Sequence, residues 1–249
     1  MSRILCIANQ KGGVGKTTTA ISLAVGVSKA GAKTLLMDLD PQCNATFGLG
    51  FDAAASHPLA AGSPISEATI RTPTPNLELL PGVGRKGDAE ILIRSDQPQA
   101  ERMQDQLAQE LNGYDFVIID CPPSRGQLIH IALGASTEVI MPIQCEFFAI
   151  DGIVQMIEVI KKVMNQKPNR LNFYGIVETM FDYSLEYTHE VDQDVRAAFG
   201  EGVFQTVIPR DVAISEAAGH GLSILDYAPR SRGARAYIEL CLEILERVS

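Results

Sequence analysis

Two lysines, three glycines and two threonines stand within residues 11–18, in the string Lys11-Gly12-Gly13-Val14-Gly15-Lys16-Thr17-Thr18. Those residue types at that spacing suit the holding of a polyphosphate. Glycines let the backbone approach closely and turn its N–H groups inward as a nest for an anion. A helix starting near Lys16 adds its positive end. Lys16 reaches the β- and γ-phosphates, and the Thr17 hydroxyl is placed to ligate Mg2+. The pattern G-x-x-x-x-G-K-[ST] fails at one position, because Gln10 stands where its first glycine belongs. A glycine-rich turn that binds nothing has no use for the Lys16-Thr17 pair. Lys11 is a second cation for which the loop has no internal need. It is either an exposed surface lysine or a group that reaches phosphates held by another subunit.

Three carboxylates extend the set. Asp38 and Asp40 precede Pro41, and Asp120 follows the apolar run 116–119. One of Asp38 and Asp40 can position an attacking water or hold Mg2+ through a water, and either alone reads equally as the cap of a turn before Pro41. Asp120, after a buried strand, is placed to bind a water of Mg2+. Cys121 lies beside it, but a thiol has no part in phosphoryl transfer, so it reads as small buried filler.

Strands and helices that alternate along the chain have to position these groups. Apolar runs at 3–9, 34–37, 76–80, 116–119, 138–143, 172–178 and 203–208 read as strands. Continuous apolar runs fit parallel strands covered on both faces. Helical spacing marks 16–30, 101–112, 150–164, 188–199 and 233–248, the first with Ala20, Leu23, Ala24 and Val27 on one face. The alternation predicts an α/β fold, a doubly wound and mostly parallel sheet with helices on both faces and ligands at the C-terminal strand ends. Residues 52–75, rich in Ala, Pro and Thr, read as an insertion loop. At roughly 150 residues per domain the 249-residue chain admits one large domain or two small ones, and the unbroken βα pattern favours a single domain over 1–249.

The string 11–18 resembles the deviant Walker A motif of the ParA/MinD family of P-loop ATPases. The resemblance extends to Asp38-Leu39-Asp40-Pro41-Gln42-Cys43-Asn44-Ala45-Thr46, Ile119-Asp120-Cys121-Pro122-Pro123, Pro142-Ile143-Gln144-Cys145-Glu146 and Pro229-Arg230-Ser231-Arg232-Gly233. It covers nearly the whole chain in order and is nearest to the small chromosomal (Soj-like) branch. It implies a Mg2+-dependent ATPase that uses ATP and releases ADP, dimerises on ATP binding as a sandwich, and acts in chromosome or plasmid partition with a ParB-like activator. It makes Lys11, Lys16 and Asp40 catalytic, with Lys11 contacting nucleotide across the dimer. It gives the nucleotide Lys11, Gly12, Gly13, Val14, Gly15, Lys16, Thr17, Thr18, Pro209 and Asp211, and gives the metal Thr17, Asp40 and Asp120. Asp211 stands where relatives carry Asn at the adenine; Asp accepts a hydrogen bond but does not donate one.

The composition limits the partners. With 21 Lys+Arg against 30 Asp+Glu the formal net charge is −9, unlike a constitutive nucleic-acid binder. Ala213 and Ser184 stand where DNA-binding relatives place arginine. Lys161, Lys162, Lys167, Arg170, Arg196, Arg230, Arg232 and Arg235 remain as a basic patch, so weak, ATP-dependent, non-specific DNA binding is expected. The terminal helix sets Tyr237, Cys241, Ile244, Leu245 and Val248 against outer Glu239, Glu243 and Glu246, the pattern of a core helix, and no membrane partner is expected. No run reaches the 18 or more apolar residues of a membrane span, and the N-terminus does not read as a signal peptide. Five unclustered cysteines suit reduced thiols in a cytoplasmic protein, with nucleoid association where DNA is bound. The flanks of Cys43, Cys121 and Cys145 do not match the cluster cysteines of nitrogenase iron protein, and no carboxylate-substrate pocket of a metabolic ligase is identifiable. The alternatives that remain are an orphan relative that positions a protein cargo and an ATP-binding scaffold with little turnover.

Overall fold

The computed structural model describes residues 2–84, 88–123, 126–165 and 170–247; Lys167 and Val248, named above, lie outside them. The described strands are β1 (Arg3–Ile7), β2 (Thr34–Asp38), β3 (Ile70–Arg71), β4 (Leu77–Leu80), β5 (Phe116–Asp120), β6 (Glu138–Gln144), β7 (Asn172–Phe181) and β8 (Val203–Pro209). They form one sheet in the order β3-β4-β2-β5-β1-β6-β7-β8. Every pairing is parallel except β3 with β4.

Alternate residues of β1 face opposite sides, and both sides are buried. Leu5 and Ile7 pack with Leu23, Ala24, Val27, Tyr237 and Leu240, whereas Cys6 and Ala8 pack with Val117, Ile131 and Ile153. That explains why these strands read as unbroken apolar runs. The helices Lys16–Lys29 and Arg232–Glu246 cover one face. The helices Gln97–Glu110, Gln127–Ala135 and Ala149–Met164 cover the other. The terminal helix turns Tyr237, Leu240, Cys241 and Ile244 inward, and Tyr237 Oη lies 3.2 Å from Thr19 Oγ1. Burying side chains of this size contributes about 1.5–3 kcal/mol each, which fixes this helix on the core.

From central β1 the strand order runs outward in both directions. The reversal leaves a crevice beyond the C-terminal strand ends. Pairing register sets Ile7 beside Asp120 and Asp38 beside Asp120, so the loop after β1 and the carboxylates ending β2 and β5 meet at that crevice.

Residues 52–75 are not a plain insertion loop. They contain short helices Pro58–Ala61 and Ile65–Ala68, and β3 pairs Ile70 with Leu79 and Arg71 with Glu78 along the sheet edge. His57 starts the first of these helices, its Nδ1 accepting from Leu59 N at 3.2 Å. The helix expected from residue 101 begins at Gln97, because Asp96 and Gln99 form a reciprocal capping box.

Candidate functional site

The loop between β1 and the helix Lys16–Lys29 turns through two left-handed glycines, Gly13 at φ 77° and Gly15 at φ 81°. Side chains elsewhere in the chain hold it. Asn9 Nδ2 donates to Pro142 O at 2.7 Å, while its Oδ1 accepts from Lys11 N at 3.0 Å. Thr179 on β7 ties two segments together, its hydroxyl 2.9 Å from Val14 O and 2.8 Å from Ile143 O.

Lys16 is buried, and its Nζ donates to Lys11 O at 2.8 Å. Burial lowers its pKa, while Asp120, Cys121 and Asp40 act to raise it. Thr17 Oγ1 donates to Asp120 Oδ2 at 2.8 Å. Asp120 Oδ1 is buried with no hydrogen-bond partner among the described residues. Burial first, then the nearby Asp38, push the Asp120 carboxyl well above the usual carboxylate range. A buried carboxylate with an orphaned oxygen is costly unless a cation satisfies it. No group of three His, Cys, Asp or Glu side chains among the described residues encloses a metal unaided. The donor set of one hydroxyl and few carboxylates therefore fits a hard ion that takes its remaining ligands from water and phosphate, as Mg2+ does.

Asp38 and Asp40 differ in their surroundings. Asp38 accepts from Thr46 N at 2.9 Å, Thr46 Oγ1 at 2.7 Å and Asp40 N at 3.1 Å. Burial still lifts it to about 6. Among the described residues the Asp40 carboxylate accepts only from Gln42 N, at 2.9 Å, so it keeps spare acceptor capacity at the crevice. Asp38 is thus committed to holding the turn, and Asp40 is the freer of the two. Cys121 is buried with its Sγ 3.1 Å from Cys6 Sγ, as filler between β1 and β5.

Lys11 lies at the exposed mouth of the loop and pairs with Glu146, just beyond β6. Thr18 and Thr17 border a groove of about 310 Å³ that continues along Ile21, Asn44, Phe47 and Ile214. Pro209 ends β8, and Asp211 begins the helix Val212–Gly219. The Asp211 carboxylate is engaged twice, Oδ1 accepting from Ala213 N at 3.1 Å and Oδ2 from Gly233 N at 2.9 Å. Arg196 does not belong to an open basic patch: it bonds Asp192 and fully buried Glu178. The loop clamps Asn9 and Thr179, the Glu146 partner of Lys11 and the capping role of Asp211 are features that motif spacing does not show. Asn9 to Lys11 and Asp211 to Ala213 are local contacts two residues apart, whereas the bonds to Pro142, Val14, Ile143, Glu146 and Gly233 join distant segments that no local spacing encodes.

Three comparisons bear on this site. The family model described as "AAA domain" matches residues 2–173. The chain is 39% identical over 252 residues to the chromosome partitioning protein ParA of Caulobacter vibrioides, covering 98% of this chain and 94% of that protein. It is 40% identical over 249 residues to the chromosome-partitioning ATPase Soj of Treponema pallidum, covering 99% and 98%. Among solved structures, cobyrinic acid a,c-diamide synthase from Mycobacterium smegmatis, with bound ADP and magnesium, superposes with a TM-score of 0.83 at 33% identity, covering 99% of this chain and 95% of that one.

Proposed function

The chain belongs to the AAA-domain family of ParA and Soj partitioning ATPases, and on that premise we propose that it hydrolyses ATP to ADP and phosphate with Mg2+, dimerises around the nucleotide and acts in chromosome or plasmid partition. The observation that carries the nucleotide reading is the buried Asp120 carboxylate, bonded to Thr17 through one oxygen and orphaned at the other, beside a buried Lys16. The ADP and magnesium of the similar synthase structure support the same ligands here.

Backbone N–H groups of Gly12, Gly13, Val14 and Gly15 surround the phosphates, with Lys16 as their main cation and Thr17 and Thr18 at the helix start. Thr17, Asp40 and Asp120 would hold Mg2+, which when bound would neutralise charge developing on the phosphates. Asp40 orients the attacking water with the acceptor capacity that Asp38 lacks. Pro209 packs on the adenine, and Asp211 shapes that turn. Lys11 leaves Glu146 and reaches the nucleotide of a second copy. A ParB-like protein activates turnover, DNA is bound weakly, and no membrane is involved; the protein works in the cytoplasm, at the nucleoid when DNA is held.

A ligase reading is not favoured. The groove beside Thr17 and Thr18 has no Lys, Arg or His among its lining residues, so it offers a carboxylate substrate no cation. Phosphate release by wild type and Asp40→Ala tests the proposal. The variant is expected to bind ATP normally and lose most of its turnover. A variant that turns over ATP at the wild-type rate contradicts the role of Asp40.

A further inference from the structure

His57 is a histidine that no phosphate motif calls for, yet it is 1% exposed. Residues 54–57 are held by the segment that follows β4 and by the helix Asp88–Ile93. Ala54 N donates to Gly82 O at 2.9 Å, Ser56 Oγ donates to Asp88 Oδ2 at 2.6 Å, and His57 N donates to the same oxygen at 2.9 Å. Gly82 itself lies against Asp38, where a Cβ would come within 3.0 Å of its Cγ.

The tautomer follows from the cap. Nδ1 accepts from Leu59 N, so the proton of the neutral ring sits on Nε2, and burial holds the ring neutral by lowering its pKa to about 4. Nε2 is therefore a buried donor, and it has no partner among the described residues. The imidazole borders a cavity of about 10 Å³ shared with Asp38, Leu39, Asp40 and Pro41. That volume matches one water; Val83, Ala89, Leu92 and Leu128 line the rest of the cavity, so a water there takes its hydrogen bonds from His57 and the Asp38–Asp40 side. Asp38 already accepts three hydrogen bonds and Asp40 one, so Asp40 has the capacity to accept another.

We infer that His57 is a positioning residue for ATP hydrolysis: its Nε2–H holds one buried water that hydrogen-bonds the Asp40 carboxylate and fixes its orientation. The inference rests on the reading of Asp40 as the catalytic carboxylate. A carboxylate that must aim a water gains from a partner on its far side, as metal ligands do from theirs.

Two substitutions separate positioning from mere structure. His57→Asn keeps an acceptor near Nδ1 for Leu59 N and removes the distal donor. His57→Gln places an N–H near Nε2 and removes the cap. The measurements are kcat for ATP hydrolysis, affinity for a fluorescent ATP analogue and Tm. His57→Asn is expected to lose about tenfold in kcat, with affinity and Tm close to wild type. His57→Gln is expected to recover most of kcat while losing about 2–4 °C in Tm. The inference is overturned if His57→Asn turns over like wild type, or if both variants lose kcat in proportion to Tm. Asp40→Ala, run alongside, separates the two levels: wild-type turnover in that variant sinks the underlying reading, whereas an inactive Asp40→Ala with an unaffected His57→Asn sinks only this one.

Discussion

Asp211 has two backbone donors to satisfy, Ala213 N and Gly233 N, and uses one carboxylate oxygen for each. An amide has only one oxygen, so Asp211→Asn turns an N–H toward one of those donors. We expect the substitution to cost about 1–2 kcal/mol, read as a lower urea midpoint with an unchanged m-value. An unchanged midpoint contradicts the double cap. Spacing alone pointed to Lys16, Thr17 and Asp120, because strand, glycine loop and helix place them by short-range geometry. The family resemblance singles out Asp40, and the structure supplies the physical reason: Thr46, eight residues from Asp38 in the chain, occupies Asp38. His57 gave no signal, since the segment that carries it reads as an irregular loop.

At the scale of elements, β7 and the helix Glu186–Phe199 are clamped by buried chemistry. Arg196 Nη2 bonds Glu178 Oε2 at 2.9 Å, and Cys145 Sγ donates to Glu178 Oε1 at 3.2 Å. Burial and the neighbouring Asp192 push Glu178 up to about 7 from an ordinary 4.5, against the pull of Arg196. A carboxyl whose folded pKa lies above its unfolded one favours folding fully below about 4.5, and that contribution is lost as pH rises through about 7. Wild type should therefore lose about 1–2 kcal/mol relative to Glu178→Gln between about pH 5.5 and 8. Denaturant unfolding of both proteins at the two pH values measures this, and a constant difference contradicts it. The long strands and helices were legible because apolar period sets them. The short helices and β3 within residues 52–75 were not, because four-residue helices and a two-residue strand are held by tertiary contacts rather than by pattern.

The molecule as a whole carries a net charge of −9, and Arg196 is withdrawn from its basic surface into the β7 clamp. Exposed Lys161, Lys162, Arg230, Arg232 and Arg235 remain, and a dimer doubles them. DNA binding is expected only from the ATP-bound protein, weak, indifferent to sequence and lost between about 50 and 200 mM salt. Fluorescence polarisation at both salts reads it, and tight binding without nucleotide contradicts it. A nucleotide-bridged dimer with Lys11 reaching across is read by sedimentation velocity with Mg2+ and a slowly hydrolysed ATP analogue. Wild type should sediment as a dimer with the analogue and as a monomer without it, and Lys11→Ala should stay monomeric while still binding the analogue. A Lys11→Ala protein that dimerises like wild type would contradict the account.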